Sequence, residues 1–124
     1  MTREDIFAYV KRKYGVSPDY PFDKDFKSAV MRHSGNGKWF ALIMPVRADR
    51  LGHEGSGYVD VVTVKSEPML IDSFIAHEGF HRAYHMNKTM WLTIELIDAV
   101  PDEKIKDLIG MSYDMTDVKK KKRS

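Results

Sequence analysis

The string with the most direct chemistry is His77-Glu78-Gly79-Phe80-His81, an H-E-x-x-H pattern, with His85 four residues further on. On a continuous helix these three imidazoles would share one face and ligate zinc, and Glu78 would activate a metal-bound water. That helix has to run to residue 85. Gly79 interrupts it at a cost of about 1 kcal/mol relative to alanine, and residues 82–92 suit a hairpin better. The competing reading ends a helix at Gly79 and places the histidines on a loop and a strand. It expects no metal and no cofactor, and a zinc hydrolase stays as the last alternative. No cysteine is present, which excludes disulfides, thiolate ligands and cysteine nucleophiles. The pairs Asp23/Asp25 and Asp102/Glu103 read as a loop and a helix start. No glycine-rich phosphate loop follows a strand, and no serine sits in a nucleophile elbow. The chain therefore reads as a binding module rather than an enzyme.

The charge distribution carries the second signal. The net charge of +2 comes from 20 basic and 18 acidic residues, but five of the basic ones fill residues 119–123, leaving 15 against 18 elsewhere. The body is thus slightly acidic, yet residues 26–48 and 79–94 contain no acidic residue. The first stretch carries Lys27, Arg32, His33, Lys38 and Arg47, and the second His81, Arg82, His85 and Lys88; Trp39, Tyr84 and Trp91 lie among them. Cations for phosphates and aromatic faces for bases are the ingredients of nucleic-acid contact. The plainer alternative buries both tryptophans in the core and leaves the lysines as solvated charges.

The elements that must position these residues follow from periodicity and turn chemistry. Residues 2–14 read as a helix with a Thr2/Asp5 capping box, an Ile6/Val10/Tyr14 stripe and Gly15 as its stop. Residues 26–33 and 38–44 read as a hairpin around Ser34-Gly35-Asn36-Gly37, with Pro45 ending the ladder or confining it to an edge. By strict alternation Trp39 shares a face with Ala41 and Ile43, while Phe40, Leu42 and Met44 take the other. Both faces are apolar, which predicts a strand buried twice or a sheet face covered by a partner. Residues 47–57 read as a mobile loop and 58–64 as a β-branched strand. Residues 66–76 read as a short helix capped by Ser66. Residues 82–86 and 90–96 form a second hairpin turning at Asn87-Lys88. Pro101 opens a last helix whose inner face is Ile105, Leu108, Ile109 and Ser112. Strands flanked by helices make the class α+β. No membrane span or signal peptide is apparent, so a cytoplasmic location is expected.

Several runs are recognisable together: Asn36-Gly37-Lys38-Trp39-Phe40-Ala41-Leu42-Ile43-Met44, then Val59-Asp60-Val61-Val62, then Ala83-Tyr84-His85-Met86-Asn87-Lys88-Thr89 before Trp91, and Val100-Pro101-Asp102-Glu103. Tyr20-Pro21-Phe22-Asp23 extends the match. The chain resembles the MmcQ/YjbR family over nearly its whole length apart from the basic tail. The resemblance implies a CyaY/frataxin-like two-layer sandwich, with terminal helices on one face of an antiparallel sheet and hairpins as wings. It also implies a double-wing DNA-binding protein. The family's usual Pro-Gly-Phe segment is here His77-Glu78-Gly79-Phe80, so the zinc-protease match looks like local drift. The acidic iron-binding first helix of frataxins has no counterpart, because Glu4 and Asp5 stand against Arg3, Lys11, Arg12 and Lys13. The expectation is one domain over residues 1–118 and a disordered basic tail at 119–124. DNA would be met at Arg32, Lys38, Trp39, Lys65, His85, Asn87, Lys88 and Trp91, with weak specificity. The alternative is a protein- or small-ligand-interaction module using the aromatic and histidine surface.

Overall fold

A computed structural model describes residues 1–22, 24–25, 27–83 and 86–117. Expectations for Tyr84, His85 and the tail therefore lie outside the described residues. The first helix, α1 (Arg3–Tyr14), forms where its caps require. The Thr2 hydroxyl accepts from the Asp5 amide at 3.1 Å, Asp5 accepts from the Thr2 amide at 2.9 Å, and Gly15 closes the helix at φ +71°. The sheet is built from β1 (Ala29–Arg32), β2 (Trp39–Arg47), β3 (Tyr58–Lys65), β4 (Phe80–Arg82) and β5 (Trp91–Glu95). All neighbours are antiparallel, in the order β1-β2-β3-β5-β4. Two further helices, α2 (Pro68–Phe74) and α3 (Asp102–Thr116), complete an α+β fold.

One face of the sheet lies under the helices. Ile6 and Val10 of α1, Ile71 of α2, and Ile105, Leu108 and Ile109 of α3 join Phe40, Ala41, Ile43, Val62, Val64, Leu92 and Ile94 in a single core cluster. An aromatic group closes its end: Tyr14 stacks on Tyr113 with centroids 4.0 Å apart, and Phe40 meets Tyr113 edge-on at 4.9 Å. His33 is tucked against both, 6% exposed, with Nε2 2.7 Å from the Thr116 hydroxyl. Arg3 ties α1 to β3 through two hydrogen bonds to Asp60, at 2.8 and 2.9 Å, and to the Lys27 carbonyl at 2.7 Å.

The opposite face is only partly covered, and here several expectations change. The β1/β2 register slips between Met31 and Arg32, which pair with Ala41 and Trp39, so Phe40 is left without a partner on β1. Such a bulge resets the alternation of the strand. Phe40, Ala41 and Ile43 all join the helix-side core, and Trp39 shares the other face with Leu42 and Met44. Pro45 limits pairing on one side only: the β1 ladder ends at Ala29/Ile43, while the β3 ladder runs past Pro45 to Arg47/Tyr58. The expected mobile loop at 47–57 is folded onto this face. Its 3-10 turn, Ala48–Leu51, buries Leu51 against Val46 and Val61.

The second half differs at three places. Ser66 does not cap α2; its amide donates to Met90 in the adjoining loop at 2.9 Å, and Glu67 takes the cap position. Gly79 does not end α2, which closes at Ile75; it turns the chain into β4 at φ +90°. The helix that the H-E-x-x-H string needs is therefore not formed, because His77 and Glu78 lie in the turn and His81 lies on a strand. The second hairpin pairs Phe80–Arg82 with Leu92–Ile94 rather than 82–86 with 90–96. The Met90 and Trp91 amides both donate to the Asn87 carbonyl, at 3.2 and 3.0 Å, which keeps Met90 in the turn and starts β5 at Trp91. Among the described residues, no helix is long and apolar enough to cross a membrane.

Two outcomes follow. A Cβ at Gly79 would sit 2.5 Å from Val100 Cγ2, in a backbone conformation that L-residues avoid. Gly79→Ala should cost about 2–4 kcal/mol in denaturant melts. Burial holds the His33 imidazole below its ordinary value of 6.5, against a smaller opposing pull from Asp117. The unfolded chain then takes up the His33 proton more readily than the native one, so this contribution is complete above 6.5 and is lost as pH falls below it. Denaturant midpoints measured from pH ~7.5 to ~5 should fall more steeply for the wild type than for His33→Gln.

Candidate nucleic-acid interface

The site begins with Ser112. Its position in the apolar stripe of α3 makes it completely buried, and its hydroxyl accepts from the Lys65 amide at 2.9 Å and donates to the Phe40 carbonyl at 2.6 Å. The β2/β3 ladder stops one step away, at Ala41/Val64. Extending it by one residue would join the two backbone groups that the serine holds apart. β2 and β3 therefore diverge at this end, with Trp39 on one side and Lys65 on the other, and Lys65 stands opposite Trp91 in the β3/β5 register.

The gap is a groove of about 380 Å³ lined by Lys38, Trp39, Lys65, Met86, Trp91 and the C-terminal turn of α3. Four of the eight residues expected to meet DNA thus converge, two cations and two half-buried indoles. The turn carrying Lys38 is held rigidly. Asn36 Oδ1 accepts from the Lys38 amide at 2.8 Å, Asn36 Nδ2 donates to the Thr116 carbonyl at 3.1 Å, and Gly37 takes φ +73°.

The others are placed differently. Arg32 is ion-paired with Asp19, so its charge is already compensated. Asn87 uses its side-chain oxygen inside its own turn, accepting from the Thr89 amide at 3.0 Å and the Thr89 hydroxyl at 2.7 Å. Lys88 is exposed at the tip of that turn. His85 is outside the described residues.

Sequence reasoning missed two features. The first is a cleft of about 500 Å³ on the other side of Trp39, lined chiefly by Phe22, Leu42, Met44, Pro45 and Met86, with Asp25 and Ser28. Phe22 meets Trp39 edge-on at 5.9 Å. The regrouping of Trp39 with Leu42 and Met44 creates it, and alternation gives no signal of a bulge. The second is Glu95, whose side chain is 2% exposed and whose two carboxylate oxygens meet His53 Nε2 at 2.5 Å and His81 Nε2 at 2.7 Å. The signal for Glu95 was a lone acid ending an apolar strand. The imidazoles approach different oxygens, and among the described residues no group of three such ligands is placed to hold a metal. The cluster fastens the 47–57 segment and β4 to β5.

Removing the serine hydroxyl tests this construction. Ser112→Ala leaves the Phe40 carbonyl and Lys65 amide without their partner at a cost of about 1–3 kcal/mol. If instead the melt is unchanged and the Lys65 amide exchanges more slowly, the ladder has zipped shut and the serine is what keeps it open.

The chain is 42% identical to the uncharacterised protein YyaQ of Bacillus subtilis, covering 94% of this chain and 98% of that one. A crystal structure of a Pseudomonas syringae protein superposes with a TM-score of 0.90 at 39% identity, covering 94% of this chain and 99% of that one. A Deinococcus radiodurans protein shares the fold at a TM-score of 0.72 and 21% identity, over 95% of this chain and 80% of that one. The YjbR family model matches residues 11–115, and the chain belongs to the YjbR family.

Proposed function

We propose that this protein binds DNA, without catalysing a reaction on it, through the groove that its two hairpins line together with the end of β3. The observation that carries the reading is the convergence of Lys38 and Lys65 with Trp39 and Trp91 around one groove, contributed by β2 and its preceding turn, β3 and β5. Lysines supply sequence-independent attraction to phosphate, and the open faces of the half-buried indoles can meet bases or sugars. Lys88 extends the basic surface from the turn tip. The contacts position the backbone rather than read base edges, so specificity is weak. A cytoplasmic protein is the natural setting for this role. The alternative, a module for a protein or small ligand, draws on the largely apolar cleft beside the groove and predicts no salt-sensitive binding.

Duplex affinity measured against salt separates the two. Each phosphate contact contributes about −0.9 to the slope of log K against log salt. Lys38→Ala and Lys65→Ala should each make the slope shallower by about that amount. Lys104→Ala, on the exposed side of α3, should leave it unchanged. An identical slope in the Lys38/Lys65 double variant rejects the groove as the DNA contact.

A further inference from the structure

We infer that the cleft beyond Trp39 seats one unpaired nucleobase, so that the preferred partner is single-stranded rather than duplex DNA. The inference rests on the DNA reading above and names the form of DNA. Trp39 is a shared wall of two concavities, of which only one is lined by lysines. Lys38 and Lys65 line the first, Phe22, Leu42 and Met44 line the second, and Met86 borders both. A nucleotide has the same two-part character, an anionic phosphate and a flat aromatic base. The cleft volume of about 500 Å³ lies within the range of small-molecule sites. A base paired inside a duplex cannot enter such a slot without leaving its stack, which costs free energy that a single strand does not spend.

Asp25 fixes the direction in which the nucleotide lies. The Lys27 and Ser28 amides donate to its Oδ1 at 2.9 and 3.2 Å and hold its carboxyl below the usual carboxylate range, so it stays charged. A carboxylate in the cleft repels phosphate and leaves that group to the lysines. Its other oxygen can accept from an exocyclic amino group, as carried by cytosine or adenine. The base therefore faces Asp25 and the backbone runs through the lysine groove.

The experiment uses the full chain, a labelled cytidine-rich strand of about ten nucleotides, its duplex with the complementary strand, and deoxycytidine monophosphate. Binding is followed by anisotropy, and stacking by the Trp39 indole N–H resonance. The strand should bind about tenfold more tightly than the duplex and shift the Trp39 resonance. Phe22→Ala should abolish that preference, losing about 5- to 150-fold for the strand, the range of one stacked base, and leave duplex affinity unchanged. Met44→Ala reports on the same wall if Phe22→Ala does not fold. Equal affinity for strand and duplex with an unshifted Trp39 resonance overturns the cleft assignment and leaves the DNA reading standing. Salt-sensitive binding of neither overturns both. Monophosphate binding as tight as the strand overturns it in favour of a free nucleotide.

Discussion

A single buried hydroxyl shapes the business end of this sheet. Ser112 projects from α3 into the sheet and takes over one donor and one acceptor that β2 and β3 would otherwise share. Buried backbone groups must be paired, and the ladder is normally their cheapest partner. Substituting a serine for that partner lets the strands part without leaving an orphan. The groove between Trp39 and Trp91 and the access to Lys65 depend on that parting.

The bulge at Phe40 is the second half of the same device. Without it, Phe40 would point away from α3, and Trp39 would be driven under the helices with Ala41 and Ile43. With it, Phe40 completes the aromatic group of Tyr14, His33 and Tyr113, and the indole is released to the other face. The Phe40 carbonyl is the one that Ser112 captures, so the bulge and the serine fix the same residue from two directions. The remaining loops then serve as flanks. Arg3 anchors the chain just after Phe22 and Asp25 through the Lys27 carbonyl, and Glu95 with its two histidines anchors the 47–57 segment.

Much of this was legible in the chain. The ends of α1 follow from Thr2, Asp5 and Gly15, because capping is local hydrogen bonding and local backbone sterics. The inner face of α3 follows from the spacing of Ile105, Leu108, Ile109 and Ser112, all of them buried. The α+β class followed in the same way, and so did the first hairpin and β3, while β4 formed earlier in the chain than expected. The helix required by the His77–His81 string failed for a reason visible in advance: a glycine in the middle of it, which the structure uses for a left-handed turn.

Sequence alone therefore determined the ends of α1, the inner faces of α1 and α3 and the chemical character of the hairpin segments, since these depend on neighbours a few residues apart. Tertiary structure alone decided which face Trp39 takes, how Ser112 divides the sheet, why Ser66 stays with the sheet instead of capping a helix, and how His53, His81 and Glu95 meet from segments up to 42 residues apart. The physical reason is the same in each case. A strand's alternation can be reset by one unpaired residue, and a buried polar group takes whichever partner the packed fold brings within reach, neither of which is written in the spacing of the residues themselves.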